Sequence, residues 1–213
     1  MPHPRDTWNS EFGAEYTDRN PHSIETLDAH YKKSFGITRT ALNTEFLDGL
    51  PRDCTILEVG CNVGTQLRGL QSLGFNQLTG VELQDYAVRK AKQLSPELPF
   101  ARADATGLPF ADEQFDLVFT SGVLIHIPPD ILPSVLSEIH RCSKRYIWGW
   151  EYFSEDPVEV PYRGQSGLLW KRDFARTYVD AFADVSLTNE RHVPYLNEPN
   201  VDVMYLLEKG SLL

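Results

Sequence analysis

The fold is decided by one stretch of the sequence, Ile56-Leu57-Glu58-Val59-Gly60-Cys61-Asn62-Val63-Gly64-Thr65. The apolar and β-branched residues before Gly60 predict a buried strand over 55–59. Gly60 and Gly64 allow a sharp turn, and apolar spacing after Thr65 predicts a helix over 65–73. Free backbone N–H groups at the start of such a helix favour a polar or anionic ligand group. A glycine pair after a strand is also compatible with a tight turn that binds nothing.

Strands and helices alternate on both sides of this turn. We predict helices over 37–50, 65–73, 85–94, 130–141 and 171–182, and strands over 55–59, 77–83, 99–105, 115–120, 145–153, 184–192 and 201–208. This alternation predicts an α/β fold, with a largely parallel sheet covered by helices on both faces. The last two strands read as a hairpin, so the sheet is mixed, with an antiparallel strand near one edge.

The chain reads as one domain, 37–213, preceded by an N-terminal arm, 1–36. No repeat, low-complexity tract or Gly/Ser linker divides residues 37–213. The arm is polar with scattered aromatics such as Trp8, Phe12 and Tyr16. We expect it to order as a lid over the active site when ligand binds; a disordered tail is the alternative.

Composition excludes several function classes. The 213 residues include 20 Lys+Arg and 30 Asp+Glu, a formal net charge of -10, which disfavours a generic nucleic-acid or anionic-membrane binder. Three cysteines without CxxC spacing predict neither a disulfide framework nor a metal site. The polar start and the lack of a long apolar run predict a cytoplasmic protein without a membrane partner. Monomer and homodimer stay open.

Two further carboxylates follow predicted strands. Glu82 ends the strand at 77–83, where an acidic residue accepts hydrogen bonds from both hydroxyls of a ribose. Asp104 ends the next strand, where it can receive an adenine amino group. Each residue alone is more often a helix cap or a solvated loop acid. Glu58, close to the turn, suits an α-amino group and repels a diphosphate, which favours S-adenosylmethionine over NAD.

Over residues 40–210 the sequence resembles class I S-adenosylmethionine-dependent methyltransferases. The resemblance is carried by four stretches: 57–64, Gly80-Val81-Glu82-Leu83, Ala103-Asp104-Ala105 and Phe115-Asp116-Leu117-Val118-Phe119. Asn62 replaces the middle glycine of the family's turn, and Asn tolerates left-handed angles. The resemblance implies a Rossmann-like seven-stranded mixed sheet of order 3-2-1-4-5-7-6, with strand 7 antiparallel. It also implies S-adenosylmethionine as cofactor and S-adenosylhomocysteine as product.

The expected cofactor-binding residues lie along one rim of this sheet and on the arm: Glu58, Gly60, Cys61, Asn62, Gly64, Glu82, Leu83, Asp104, Ala105, Ser121, Tyr16 and Arg19. Tyr16 and Arg19 would fold over the cofactor, with Arg19 near its methionine carboxylate.

Three further stretches, 8–20, 121–127 and 157–164, are similar to methylases associated with pseudaminic acid biosynthesis. This resemblance covers nearly the whole chain. It implies a small-molecule methylase acting on a nonulosonic sugar or its precursor, with the substrate open because the family assignment rests on pathway association.

Chemistry is expected at two positions near the ends of strands four and five. His126 is the candidate general base, since its ordinary pKa lies near neutrality; a packed or capping histidine is the alternative. Glu151 can orient a substrate hydroxyl or bind an ammonium group. The expected substrate-binding residues are Trp150, Tyr162, Arg163 and Trp170. Core packing of the aromatics, and a surface ion pair of Arg163, are the competing interpretations.

The function expected is therefore methyl transfer to oxygen or nitrogen of a small metabolite, with an N-methyltransferase for small amines or amino acids as the alternative. An NAD-dependent oxidoreductase and a non-catalytic adenosyl-binding protein are weaker hypotheses. Nucleic-acid methylation is disfavoured by the charge and because Ile127-Pro128-Pro129-Asp130 lacks the Asn and the aromatic residue of an amine-methylating motif.

Overall fold

The computed structural model describes residues 4–210. Its strands are β1 Thr55–Val59, β2 Gln77–Glu82, β3 Phe100–Arg102, β4 Phe115–Ser121, β5 Ser143–Tyr152, β6 Val158–Glu159, β7 Trp170–Lys171, β8 Val185–Pro194 and β9 Val201–Lys209. Its helices are α1 Pro4–Trp8, α2 Glu11–Arg19, α3 Ile24–Phe35, α4 Arg39–Leu47, α5 Thr65–Ser72, α6 Asp85–Leu94, α7 Leu132–Cys142 and α8 Phe174–Ala181, with a 3₁₀ turn over Leu124–His126.

Seven strands form one mixed sheet in the order β3-β2-β1-β4-β5-β9-β8. The first five are parallel, whereas β9 runs antiparallel to both β5 and β8. The predicted order 3-2-1-4-5-7-6 is confirmed, because β8 and β9 are the sixth and seventh predicted strands. The antiparallel strand, β9, lies between β5 and β8, so it is next to the edge strand and not at the edge itself.

Each face of the sheet covers its own apolar core. Trp148 of β5 and Met204 of β9 point to the cluster that holds α3, α4 and α5, whereas Ile147 and Val203 point to the cluster that holds α7 and α8. Successive side chains of a strand alternate between faces, so one strand serves both cores. Burial of each large apolar side chain contributes roughly 1.5–3 kcal/mol. Packing on both faces holds the sheet in place, and the candidate site lies at the carboxyl edge of its parallel strands.

The region predicted as an arm is helical. Ser23 begins α3 with a capping box, and Gly36, at φ 76°, ends it. Leu27, Tyr31 and Phe35 of α3 belong to the same core cluster as the first face of the sheet. The division into a lid over residues 1–36 and a domain over residues 37–213 stays a prediction. Residues 1–3 and 211–213 lie outside the described residues.

Residues 154–170, for which the sequence predicts no helix or strand, contribute to a small ribbon. Val158 of β6 pairs with Lys171 and Glu159 pairs with Trp170 of β7 in antiparallel register. The helix predicted from 171 begins later, at Phe174, because the Asp173 side chain caps it by accepting the backbone N–H of Arg176 at 2.8 Å.

Candidate active site

The turn after β1 takes three left-handed residues: Gly60 at φ 76°, Asn62 at φ 48° and Gly64 at φ 73°. A Cβ on Gly60 would lie 2.5 Å from Cγ2 of Val123, and one on Gly64 would lie 2.6 Å from the Phe100 ring. Close packing therefore demands glycine at both positions. The space beside Gly64 is filled by a core ring, whereas the sequence pattern had suggested a ligand there.

A cavity of about 810 Å³ opens beside this turn at the carboxyl edge of the sheet. Eleven of the twelve expected cofactor-binding residues line it, Gly64 being the exception, as do His126, Trp150, Tyr162 and Arg163. The volume falls within the range of ligand sites in proteins. The crossover topology gathers these residues, because the carboxyl ends of parallel strands meet along one edge.

Glu58, the fourth residue of β1, presents a buried carboxyl group to this cavity. The side chain is 2% exposed, and its Oε2 has no hydrogen-bond partner within residues 4–210. Burial raises the pKa of Glu58 well above its ordinary value, while the Arg39 guanidinium opposes this rise. An unpartnered buried oxygen that lines a cavity is suited to a ligand donor such as an ammonium group.

Glu82, at the end of β2, is hydrogen-bonded to the turn that follows β1. Its Oε2 accepts the backbone N–H of Asn62 at 2.9 Å, and its Oε1 accepts the backbone N–H of Gln84 at 2.9 Å. Burial raises the Glu82 pKa, and these backbone donors oppose that rise. Each carboxylate oxygen keeps a second lone pair, so the side chain can still accept hydrogen bonds from two vicinal hydroxyls.

Asp104, after β3, has protein partners in this structure. Its Oδ1 accepts the backbone N–H of Thr106 at 2.9 Å, and Arg5 of α1 lies 3.0 Å from its Oδ2. The residue lines the cavity as expected, together with Ala105. Its carboxylate is shared between an Asx-type turn and the first helix, an arrangement that the sequence pattern did not indicate.

His126 lies in the 3₁₀ turn after β4, in the cavity wall. Its Nδ1 is 2.7 Å from the carbonyl oxygen of Leu168, and its ring lies 4.5 Å from the Trp8 ring and 5.1 Å from the Tyr162 ring. Burial lowers the His126 pKa to about 4. The side chain is therefore a neutral imidazole at pH 7, held among aromatic rings, and its pKa is not the near-neutral one on which the sequence-based choice of His126 as a base relied.

Glu151, the second expected catalytic residue, lies behind the cavity wall. It is completely buried, and its two carboxyl oxygens accept the backbone N–H groups of Val123 at 3.2 Å and Ile125 at 3.3 Å. Burial raises its pKa to about 7. These contacts shape the turn that carries His126, and Glu151 itself is not among the residues that line the cavity.

Helices α1 and α2 cover the cavity, and Gln84 holds them. Its Nε2 donates to the Trp8 carbonyl oxygen at 2.9 Å, and its Oε1 accepts the Thr17 hydroxyl at 3.1 Å. Tyr16 packs edge-to-face on Trp8, and burial raises the Tyr16 pKa to about 12. Arg19, on the same helix, is exposed and pairs with Glu15 at 3.5 Å while lining the cavity.

The expected substrate-binding residues divide into two groups. Trp150 is buried in the wall, and Tyr162 and Arg163 reach the cavity from the segment between β6 and β7. Arg163 adopts φ 52° beside Gly164 and lies over the Tyr162 ring at 5.9 Å. Trp170 lies within β7, where it pairs with Glu159. The structure does not bring Trp170 into the cavity wall.

Several cavity residues are absent from the sequence-based set: Gln84, Tyr31, Phe35, Tyr152, Tyr195 and Asp202. One signal existed for Asp202, a lone acid in the apolar run Val201-Asp202-Val203-Met204-Tyr205. A buried acid needs a partner or a role, so it stands out in such a strand. Tyr31 and Phe35 carry no local signal, because their position depends on how α3 packs.

Residues 4–210 contain no group of three or more His, Cys, Asp or Glu side chains arranged to hold a metal ion. In the same range, no helix has both the length and the apolar character that a membrane crossing requires.

The sheet order, the glycine turn and the carboxylates at its edge resemble the arrangement of S-adenosylmethionine-dependent methyltransferase domains. Residues 57–146 match the family described as methyltransferase domain. The chain is 38% identical over 86 residues to 2-methyl-6-phytyl-1,4-hydroquinone methyltransferase of Synechocystis, covering 38% of this chain and 27% of that one. It is 31% identical over 102 residues to the sterol 24-C-methyltransferase of Neurospora crassa, covering 45% and 26%.

Among solved structures, the fold resembles that of Burkholderia thailandensis 1,6-didemethyltoxoflavin-N1-methyltransferase with bound 1,6-didemethyltoxoflavin and S-adenosylhomocysteine. The TM-score is 0.72 at 17% identity, covering 99% of this chain and 92% of that one. At this identity the likeness concerns the fold. The chain spans less than half the length of the curated relatives it matches.

Proposed function

We propose that this protein transfers the methyl group of S-adenosylmethionine to an oxygen or nitrogen atom of a small metabolite. One observation carries the proposal: Glu58, Glu82 and Asp104 lie at or near the carboxyl ends of three neighbouring strands and line a single cavity with His126. The matched methyltransferase domain, residues 57–146, contains all four residues. The fold likeness to a structure with bound S-adenosylhomocysteine agrees with it.

The residues fit S-adenosylmethionine. Within residues 4–210, Oε2 of Glu58 has no hydrogen-bond partner, so it suits the α-amino group of the cofactor. Glu82 suits the ribose hydroxyls. Leu83 and Ala105 supply apolar wall near Asp104, on the side suited to the adenine. S-adenosylmethionine supplies an electrophilic methyl group on a sulfonium centre.

The chain's own contribution is alignment and proton removal. The walls of the cavity hold the acceptor in line, which can lower a barrier by roughly 7–11 kcal/mol. His126 is neutral and donates from Nδ1 to Leu168, so its Nε2 is the basic nitrogen that takes the acceptor's proton. The α1 and α2 helices and Tyr162 exclude water from this region.

For the acceptor, the resemblance of 8–20, 121–127 and 157–164 to pseudaminic acid-associated methylases supports a nonulosonic sugar or its precursor. A small amine or amino acid is the alternative, supported by the buried carboxyl groups at the cavity. A protein of this kind is expected to act in the cytoplasm as a monomer or homodimer on a free small molecule.

The test has two stages. Calorimetry with S-adenosylhomocysteine and with NAD separates the methyltransferase from an oxidoreductase; binding of NAD alone would overturn the proposal. A screen of cell metabolites with isotopically labelled S-adenosylmethionine, followed by mass spectrometry of products, then identifies the acceptor. Complete absence of transferred label with a bound cofactor would favour a non-catalytic adenosyl-binding protein.

Glu82→Ala separates a methyltransferase from a non-catalytic adenosyl-binding protein. Loss of a charged hydrogen-bonding group costs about 1.5–3 kcal/mol, so S-adenosylhomocysteine affinity should fall roughly tenfold or more. Turnover should fall with it, whereas a scaffold would keep its partner. Glu97→Gln, at an exposed position after α6, is the matched control and should bind as the wild type does.

A further inference from the structure

A second part of the cavity is walled by five aromatic rings, which we call the aromatic box: Tyr31, Phe35, Trp150, Tyr152 and Tyr195. Ring centroids lie 5.3 Å apart for Phe35–Trp150 and for Tyr31–Trp150, 4.3 Å for Phe35–Tyr195 and 6.4 Å for Tyr152–Tyr195. These rings come from α3, β5 and the segment after β8, whereas the cofactor-side carboxylates follow β1, β2 and β3. The box is therefore the acceptor end of the cavity.

A buried carboxyl group faces the same space. Asp202, the second residue of β9, is 1% exposed and lines the cavity. Its Oδ2 accepts the Tyr195 hydroxyl at 3.3 Å, and its Oδ1 has no hydrogen-bond partner in the described part of the chain. An orphaned carboxyl oxygen that is buried costs free energy unless a ligand donor completes it.

We propose that the aromatic box and Asp202 bind an ammonium group carried by the methyl acceptor. Aromatic faces attract a cation through their quadrupole, and the attraction grows when the cation is desolvated. The carboxyl oxygen supplies the hydrogen-bond acceptor and the opposite charge. The negative ring faces disfavour a carboxylate-bearing group, and a neutral hydroxyl uses the oxygen but not the ring faces. This assignment rests on the proposed methyl transfer and names its substrate class.

The charges around Asp202 agree with this assignment. Burial raises its pKa to about 8, and Glu151 on the neighbouring strand adds to the rise; Tyr195, Lys171 and Trp150 oppose it. The box thus contains a carboxyl group that is largely neutral at pH 7, and an ammonium group bound beside it favours the ionised form. The other groups that face or adjoin the box are Tyr31, Tyr152 and the buried Arg39.

Arg39 does not take the place of the ligand. It lies behind the box, 5.5 Å from the Tyr31 ring and 5.3 Å from the Trp150 ring, and its Nη1 donates to the Tyr31 hydroxyl at 2.8 Å. Its charge also lowers the pKa of Glu58 from the value that burial alone would give. Lys171 similarly lies over Tyr152 and donates to Asn200. Both cations already interact with residues around the box.

The strand order places the ammonium group away from the reacting atom. His126 follows β4 and Asp202 lies in β9, with β5 between them. Neighbouring strands are about 4.8 Å apart, so the two strand ends are separated by roughly 10 Å. The ammonium group is thus an anchor at one end of the acceptor, and the oxygen or nitrogen to be methylated lies at the other end, near Nε2 of His126.

The test uses three probes of one shape: cyclohexylammonium, cyclohexanol and cyclohexanecarboxylate, titrated calorimetrically into the full chain saturated with S-adenosylhomocysteine at pH 7. We expect the ammonium probe to bind about tenfold or more tightly than the other two, as a desolvated cation–π and ion-pair site implies. Equal binding of the alcohol, tighter binding of the carboxylate, or no binding by any probe would overturn the assignment.

Asp202→Asn is nearly the same shape and should lose the preference for the ammonium probe. Asp180→Asn, at an exposed position of α8, is the matched control and should keep it. Binding of S-adenosylhomocysteine is measured for every protein. If that binding fails in the wild type, the proposed function fails; if it holds while the ammonium preference is absent, only this inference falls. Should Asp202→Asn not fold, the wild-type probe series still decides.

Discussion

Nδ1 of His126 and the carbonyl oxygen of Leu168 lie 2.7 Å apart. A carbonyl oxygen only accepts, so Nδ1 carries the proton and Nε2 is left as the basic nitrogen. Leu168 stands two residues before β7, in the segment that also carries Tyr162 and Arg163. The orientation of the candidate base thus depends on the segment between β6 and β7, 42 residues away along the chain.

His126→Ala is expected to lower kcat by about 10²–10⁴-fold, as removal of a general base does, while affinity for S-adenosylhomocysteine is largely kept. Because the His126 pKa is lowered to about 4, the acidic limb of kcat/KM should lie near pH 4 and not near 6.5. Steady-state rates from pH 4 to 8 measure both. His192→Ala, at an exposed position of β8, is the control. An unchanged rate for His126→Ala would show that His126 only packs in the cavity wall.

Gly60→Ala should destabilise the protein and weaken S-adenosylhomocysteine binding, since left-handed backbone costs an alanine about 1–2 kcal/mol and the new Cβ overlaps Val123. Gly69→Ala is the matched control, because nothing lies within 4 Å of its Cβ and the position is helical. That change should be neutral or stabilise by about 0.5–1 kcal/mol. Urea unfolding compares the two, and equal effects would contradict the role of the turn.

Gln84→Ala should release α1 and α2 from the cavity. The change leaves the Thr17 hydroxyl without its acceptor and removes the donor to the Trp8 carbonyl, at a cost of about 1–3 kcal/mol. We expect faster amide exchange over residues 4–19 and faster dissociation of S-adenosylhomocysteine. Gln93→Ala, exposed on the same helix α6, should leave both unchanged. Unaltered exchange in Gln84→Ala would show that other contacts hold these helices.

Stability is expected to fall as pH rises from 6.5 to 8. Glu151 has a pKa of about 7 and Asp202 of about 8 in the folded chain, both raised by burial, so the folded state binds more protons than the unfolded state in this window. Each such group lowers the free energy of unfolding by at most about 1.4 kcal/mol per pH unit.

Urea unfolding at several pH values measures this slope, which Asp202→Asn should reduce. The lowered pKa of His126 acts at more acidic pH, where stability falls as pH drops from 6.5 towards 4, so it does not interfere. An identical slope in Asp202→Asn and the wild type would mean that Asp202 is ionised in the folded chain throughout this range.

The strand-turn-helix at 55–72 and the hairpin at the end of the chain were predictable because their signals are local. Apolar runs, left-handed glycines and a helix start depend on residues close in sequence, and parallel topology then places Glu58, Glu82 and Asp104 at one edge. The strand order was expected from the resemblance to class I methyltransferases and not from these local signals. Local signals could not assign Glu151, because the two backbone N–H groups that occupy its carboxylate come from a turn 26 and 28 residues earlier.

The sequence by itself determined the strands, the glycine turn and the carboxylates at the sheet edge, since periodicity and strand ends fix where those residues must stand. Only the tertiary structure brought the aromatic box together. Tyr31, Tyr195 and Asp202 meet because α3 packs against the sheet and β9 folds back beside β5. Such contacts join residues far apart in the chain, and burial of apolar surface, which has no direction of its own, selects them only when the whole core forms.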